Sequence, residues 1–313
     1  MAHKWYLTLS CSSHEICSAV PGANLGNRGV MVLQIRTSRI VLLAVAAAIA
    51  ASGAHAGDLP PVPDTLKKAG IVRIGIKCDY PPDGFLDNQG KNQGIEVSLA
   101  RQIAADALGD AAKAELTCVT AANRIPMLVG SKVDMLIATL GITEERSRVV
   151  DFSEPYAWGG SDVLVPKGSA IKKLADLKGK TVVVMKGAWQ IDWFEKNMSD
   201  VKLLKLDNVS DGLQALLQKR ADGFAHDFAI LVGIAKKNQE TELVGELYQI
   251  GFRGIGVRKG DTAVRDYVNA SIKKANDDGK IAAWVKQFVE PDLAPATIDT
   301  WDLAKVPKTA PKS

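Results

Sequence analysis

Residues 71–108 read IVRIGIKCDYPPDGFLDNQGKNQGIEVSLARQIAADAL, and the hydrophobic period changes half-way along them. Ile71-Val-Arg-Ile-Gly-Ile76 is a short β-branched run, the composition of a buried strand. From Gly94 onwards Ile95, Leu99 and Ile103 recur at a helical spacing and mark one face of a helix over about 94–108. A strand followed by an amphipathic helix is one βα step, and further steps follow. Strand patterns are predicted over 114–119 and 133–138, with a short helix at 125–129 between them. Thr143-Glu-Glu-Arg146 reads as an N-capped helical turn with its acids at the positive end. The alternation restarts with strands at 180–185, 201–206 and 222–225 and helices at 191–197, 209–219 and 228–236. A strand at 254–258 and helices at 262–277 and 280–289 complete it. This rhythm predicts an α/β fold with parallel sheets. The stretch from Pro291, rich in Pro, Ala, Thr and Lys, reads as a partly wrapped, fraying tail.

Upstream of the alternation lies a different kind of segment. Residues 31–56 read MVLQIRTSRIVLLAVAAAIAASGAHA: a basic start at Arg36 and Arg39, an apolar run from Ile40 to Ala51, and a small-residue site at Ala54-His-Ala56. That is the layout of a cleavable signal peptide, and the apolar run falls short of the roughly 20 residues a transmembrane helix needs. Residues 1–30 precede a complete leader and read as an extension ahead of the true start, at Met31 or at Val30 through an alternative start codon. Cleavage after Ala56 leaves 257 of the 313 residues. The expected location is the periplasm, unanchored, since residue 57 is Gly and not a lipidatable Cys.

The leader changes the charge reading. The whole chain carries 39 Lys+Arg, 35 Asp+Glu and a net charge of +4; residues 1–56 hold four of the bases and one of the acids, so 35 and 34 remain, net +1. No charge excess is left to attract nucleic acid or an acidic membrane surface. His3, His14 and His55 fall in the leader, and His226 alone remains, which excludes a His-rich metal site and argues against His-based catalysis. Cys78 and Cys118 remain of four cysteines; they stand near the ends of strands expected to be neighbours, and a disulfide or two free thiols are both open readings. No Walker A pattern and no cofactor motif is found.

Several short stretches fall in a telling order: Asp79-Tyr-Pro-Pro82, Gly94-Ile-Glu-Val-Ser-Leu99, Ala138-Thr-Leu-Gly-Ile-Thr-Glu-Glu-Arg146, Asp151-Phe-Ser-Glu-Pro-Tyr156, Leu174-Ala-Asp-Leu-Lys-Gly179, Arg220-Ala-Asp-Gly-Phe-Ala-His-Asp227 and Gly254-Ile-Gly-Val-Arg-Lys-Gly-Asp261. Together, from about Ile71 to Glu290, they resemble the periplasmic solute-binding proteins that serve polar amino-acid ABC importers. The resemblance implies a two-lobed Venus-flytrap architecture with the ligand between the lobes and two crossover strands as hinge. The first lobe would be 57–159 plus 252–313 and the second 160–251. The implied partners are a small amino-acid ligand and a membrane permease, and the protein is expected to be a monomer.

The same resemblance implies roles for individual residues. Arg146, at a strand-to-helix corner, would grip the ligand α-carboxylate with its planar fork, helped by the Gly141 N–H. The plainer alternative is an exposed helix Arg paired with Glu145 or Asp151. Asp227 would accept the α-ammonium, with the Thr139 hydroxyl and the Ala138 carbonyl sharing it, and its partner would arrive only with the ligand. The alternative for Asp227 is a helix N-cap. Tyr80 would lie against the ligand's aliphatic stem, and His226 would be a packing or hinge residue.

Departures from the family pattern point to the ligand. Many basic or amide binders carry an Asp where this chain has Lys77, and a second aromatic where it has Ala121, with Arg124 following in Thr120-Ala-Ala-Asn-Arg124. Such a version is similar to members that bind aspartate or glutamate. Arg146, Lys77 and Arg124 against Asp227 give an expected pocket surplus of +2, which favours an acidic ligand. In Met185-Lys-Gly-Ala-Trp-Gln190 a Trp stands where the family usually places Thr, so Trp189 and Gln190 are expected at the ligand, with Trp189 as an aromatic wall or a space-filler. A periplasmic cyclohexadienyl dehydratase-like enzyme on the same scaffold is the rival reading, with Glu154 or His226 moving the proton. The preferred expectation is capture without catalysis.

Overall fold

A computed structural model describes residues 59–306; the extension, the leader and its cleavage site at Ala56 lie outside the described residues. Among the described residues the strands are, in order, β1 (Val72–Ile76), β2 (Asp79–Tyr80), β3 (Gly84–Leu86), β4 (Asn92–Gln93), β5 (Ala114–Cys118), β6 (Met135–Ile137) and β7 (Val150–Phe152). Then come β8 (Ala157–Pro166), β9 (Thr181–Met185), β10 (Lys202–Leu206), β11 (Gly223–Asp227), β12 (Thr241–Leu243), β13 (Tyr248–Arg253) and β14 (Gly256–Arg258).

Two sheets organise the chain. The first has the order β5-β1-β6-β14-β7, the second β10-β9-β11-β8-β12 with β13 also on β8, while β2, β3 and β4 form a small separate sheet. The expected parallel pairs are present: β1 with β5 and β6, and β9 with β10 and β11. The sheets are nevertheless mixed, not purely parallel. β14 runs antiparallel to β6 and β7, and β8 antiparallel to β11, β12 and β13. Both β8 and β14 enter their sheet from the opposite half of the molecule, so no helical crossover within one sheet sets their direction.

Each sheet is covered on both faces, which is why its strands read as apolar runs and not as alternation. In the first, Ile74, Ile76, Leu99, Ile103, Val268 and Val285 form one core, and Leu128, Leu136, Leu140 and Val150 another. In the second, Val163 and Val182 join Phe194 and Tyr248, whereas their neighbours Leu164 and Val183 join Phe224 and Leu231. Consecutive strand residues thus serve opposite faces. Helix ends follow local chemistry: Thr143 Oγ1 accepts from the Arg146 N–H at 3.2 Å, the expected N-cap, and Gly109 in the left-handed region closes the helix Ile95–Leu108.

β8 and β13 carry the chain between the halves and pair with each other, Ala157 opposite Arg253 and Gly159 opposite Gly251. The lobe boundaries expected at 159/160 and 251/252 fall inside these two strands. Cys78 and Cys118 form a disulfide, Cα–Cα 5.5 Å, fastening the end of β1 to the end of β5. The tail is wrapped onto the first half as far as it is described, and residues 307–313 lie outside the described residues. A helix forms over Ala294–Thr300, Trp301 is buried against Tyr156 with ring centres 5.1 Å apart, and the Trp158 indole N–H donates to the Asp299 carbonyl at 2.8 Å. No described helix is long and apolar enough to cross a membrane.

Candidate functional site

The carboxyl ends of β1, β6, β9 and β11 point into one cleft, the position at which open α/β sheets present their loops to ligands. The free space within the cleft is only about 40 Å³, well below the roughly 300–1,000 Å³ of small-molecule sites, so the protein's own side chains nearly fill it. Of the residues assigned to the ligand, Lys77, Tyr80, Arg124, Thr139, Gly141, Arg146, Trp189, Gln190 and Asp227 line it, and so do Ala121 and His226. Ala138 does not. It is buried, and its carbonyl accepts from Arg124 Nη1 at 2.6 Å and from its neighbour Thr139 Oγ1 at 2.9 Å. A carbonyl has two lone pairs, and both are used, so the expected share of an ammonium falls away.

Asp227 also departs from expectation. Its carboxylate makes no N-cap bond to the helix Phe228–Lys237. Nor does it wait for a ligand: Arg253 Nη2 reaches Oδ2 at 3.0 Å and Tyr80 Oη donates to the same oxygen at 2.5 Å. Oδ1 accepts from Gln190 Nε2 at 2.8 Å and from Trp189 Nε1 at 3.1 Å. Burial pushes this carboxyl up, but Arg253, His226 and the hydrogen bonds from Tyr80 and Gln190 prevail and hold it at about 2.

Arg253 was missed by the sequence reading, although it lies next to the recognised Gly254 strand. Only 7% exposed, it stands at the end of β13 between two acids, with Nη1 2.8 Å from Asp83 Oδ2 and Nη2 on Asp227. Tyr80 lies over it, its ring centre 5.7 Å from the guanidinium. Glu96 was missed too. Fully buried, it accepts from the Thr139 N–H at 2.9 Å and from Tyr156 Oη at 2.5 Å, so it fixes the loop after β6. Burial, with the nearby Asp83 charge, raises its carboxyl to about 7.

The basic residues divide into engaged and open ones. Lys77, 6% exposed, pairs with Asp79 at 2.7 Å. Arg124 and Arg146 make no ion pair with any carboxylate among the described residues. Arg124, 4% exposed, bonds the carbonyls of Ala138 and Thr139 and leaves its Nε without a partner; burial and the Arg146 charge lower it to about 9. Arg146 is half-buried and donates to the Gly141 carbonyl at 2.8 Å and, across the cleft, to the Gly187 carbonyl at 3.1 Å. The plain alternative, an ion pair with Glu145 or Asp151, is not made among the described residues, and Asp151 is held by Lys259 at 2.7 Å.

Trp189 starts a helix in the second lobe and lays its indole against glycine on two sides. A Cβ at Gly141 would come 3.1 Å from its ring, and one at Gly251 would come within 2.4 Å. Gly251 is therefore required for the ring to sit where it does, and a side chain at 141 would press the ring aside by a few tenths of an ångström. His226 is buried between Tyr80 and Phe224, and burial lowers it to about 4, so it is a neutral packing residue. Among the described residues no group of three or more His, Cys, Asp or Glu could hold a metal ion.

Comparison with known proteins gives a consistent picture. Bacterial extracellular solute-binding proteins, family 3, match residues 72–291. The chain is 36% identical over 225 residues to the glutamine-binding protein of an ABC transporter from Bacillus subtilis (strain 168), covering 71% of this chain and 82% of the relative. It is 26% identical over 284 residues to the glutamate/aspartate import solute-binding protein of Salmonella typhimurium, covering 86% and 93%. Among solved structures, a solute receptor for L-cysteine from Neisseria gonorrhoeae superposes with a TM-score of 0.70 at 35% identity, covering 73% of this chain and 96% of the receptor.

Proposed function

The chain belongs to the bacterial extracellular solute-binding proteins, family 3, and on that premise we propose that it captures an acidic amino acid, aspartate or glutamate, for an ABC importer. It is a binding protein, not an enzyme: its relatives are receptors, and its one histidine in the cleft is buried and neutral. The lobes 57–159 with 252–313 and 160–251 close on the ligand, and the closed form docks on the membrane permease. One chain supplies both walls of the cleft, so a monomer suffices.

The observation that carries the ligand class is the pair Arg124 and Arg146, two guanidiniums in one cleft that make no ion pair with a carboxylate among the described residues. Cations removed from water need an anionic partner. An acidic amino acid brings two carboxylates, one for each arginine. Lys77 drops out of this role because Asp79 already holds it. The pocket surplus shrinks accordingly. Lys77, Arg124, Arg146, Arg253 and Lys186, the partner of Asp207, against Asp79, Asp83, Asp207 and Asp227 leave +1, not +2. A ligand of net −1 cancels it, whereas lysine or arginine would double it.

Calorimetry on protein stripped by unfolding and refolding, titrated with Asp, Glu, Asn, Gln, Cys, Lys and Arg, tests this. Asp or Glu should bind tightest. Tightest binding of Gln would move the side-chain contact to an amide accepting from Arg124, and tightest binding of Lys or Arg would overturn the charge argument.

A further inference from the structure

The groups that the family resemblance assigns to the α-ammonium are satisfied from within the protein. A carboxylate offers about four acceptor sites. At Asp227 all four are occupied, by Trp189 Nε1, Gln190 Nε2, Tyr80 Oη and Arg253 Nη2. Its charge is matched by Arg253 at 3.0 Å. The Ala138 carbonyl is filled by Arg124 and Thr139. The indole that occupies Oδ1 is seated, not loose, since glycine at 141 and 251 makes room for it and Gln249 Nε2 ties its backbone carbonyl at 2.8 Å.

The arginines of the cleft stand differently. Among the described residues Arg124 and Arg146 have no carboxylate in an ion pair, and the buried Arg124 Nε has no acceptor. The site therefore asks for an anion and does not ask for an ammonium. We propose that the cleft also binds carboxylates that lack the α-ammonium group, the 2-oxo and 2-hydroxy acid counterparts of its amino acids, with the Trp189 indole N–H standing in for the missing amine at Asp227. This rests on the cleft being the ligand site, as the proposed function has it, and widens its ligand class. An incoming ammonium must first evict the indole from Oδ1, so the usual advantage of the amine is lost.

The test is calorimetry with two matched pairs, L-glutamate against 2-oxoglutarate and L-aspartate against L-malate, on the wild-type protein and on Trp189→Phe. Phe keeps a ring between the glycines and removes the N–H donor. In the wild type each analogue should bind within about 10-fold of its amino acid, because one charge-assisted bond, worth roughly 1.5–3 kcal/mol, is already made internally. In Trp189→Phe the preference for the amino acid should rise by about 10-fold or more as Oδ1 is freed. Amino acids binding while both analogues bind more than about 100-fold weaker would overturn the inference and leave the proposed function standing. A preference unchanged in Trp189→Phe would also overturn it. Analogues binding without the amino acids would support the inference and sink the amino-acid reading, and no binding of any of the four would sink both.

Discussion

Arg253 and Asp227 meet at 3.0 Å at the end of a crossover strand, and the same guanidinium holds Asp83 at 2.8 Å. One hinge cation thus balances an acid from each lobe. Removing one partner of a buried ion pair typically costs about 3–5 kcal/mol because the other charge is left uncompensated. Arg253→Met should therefore lower the urea midpoint markedly, with a loss of that order, and Arg253→Lys should recover only part of it, since a lysine cannot span both carboxylates. An unchanged midpoint in Arg253→Met would remove the hinge role.

Arg146 has no acid to leave stranded. Arg146→Ala is expected to keep the melting temperature within a few degrees and to weaken ligand binding by at least about 100-fold, two charge-assisted bonds at roughly 1.5–3 kcal/mol each. Arg124→Met should weaken binding similarly while removing the buried charge, and with it the repulsion from Arg146, that together lower its pKa, so its stability should not fall. Calorimetry beside thermal denaturation separates the two effects.

The Cys78–Cys118 bridge closes a separation of 40 residues. In the chain-entropy view, closure of a loop of that length stabilises by roughly 3–4 kcal/mol. Reduction should lower the denaturation midpoint accordingly, and the unreduced folded protein should show no labelling at either position by peptide mapping. Labelling of both cysteines without reductant would contradict the bridge.

Glu96 gives the stability a pH dependence of definite sign. Its carboxyl is raised from 4.5 to about 7 in the folded protein, so between these values the native state holds a proton that the unfolded chain has released. Stability should fall as pH rises from about 4.5 to 7 through this group. Asp227 acts in the opposite sense at lower pH. Held at about 2 against 3.8, it contributes stability that is full above 3.8 and lost as pH falls through 2. Glu96→Gln should flatten the slope between pH 5 and 7; an unaltered slope would assign it elsewhere.

Much of the architecture was legible because period and composition are local. Ile95, Leu99 and Ile103 declare their helix without reference to anything else, and all three are fully buried. β8 and β13 do not show in the residue pattern and entered only through the resemblance, as its two crossover strands. β8 opens with Ala-Trp-Gly-Gly before its apolar run, and β13 slips register between Tyr248 and Gly251, where Gln249 takes a positive φ of 51°. Arg146 and Asp227 were reached through the family resemblance, since a lone Arg or Asp at a strand-to-helix corner suits a surface pair or an N-cap as well. The site was not legible where the role is a contact between distant residues. Arg253 and Asp83 are 170 positions apart, and nothing in either neighbourhood names the other. The same holds for Asp227, whose partners decide that it is already satisfied.

Tyr80 bonding Asp227, and Arg146 bonding the Gly187 carbonyl, latch the two lobes together with the protein's own atoms. A latch of that kind turns capture into a waiting time. Solute entry is expected to wait for these bonds to part, a unimolecular event that solute concentration does not hasten. In rapid mixing the observed association rate should level off to a plateau set by unlatching, and Tyr80→Phe, which removes one bolt, should lift that ceiling.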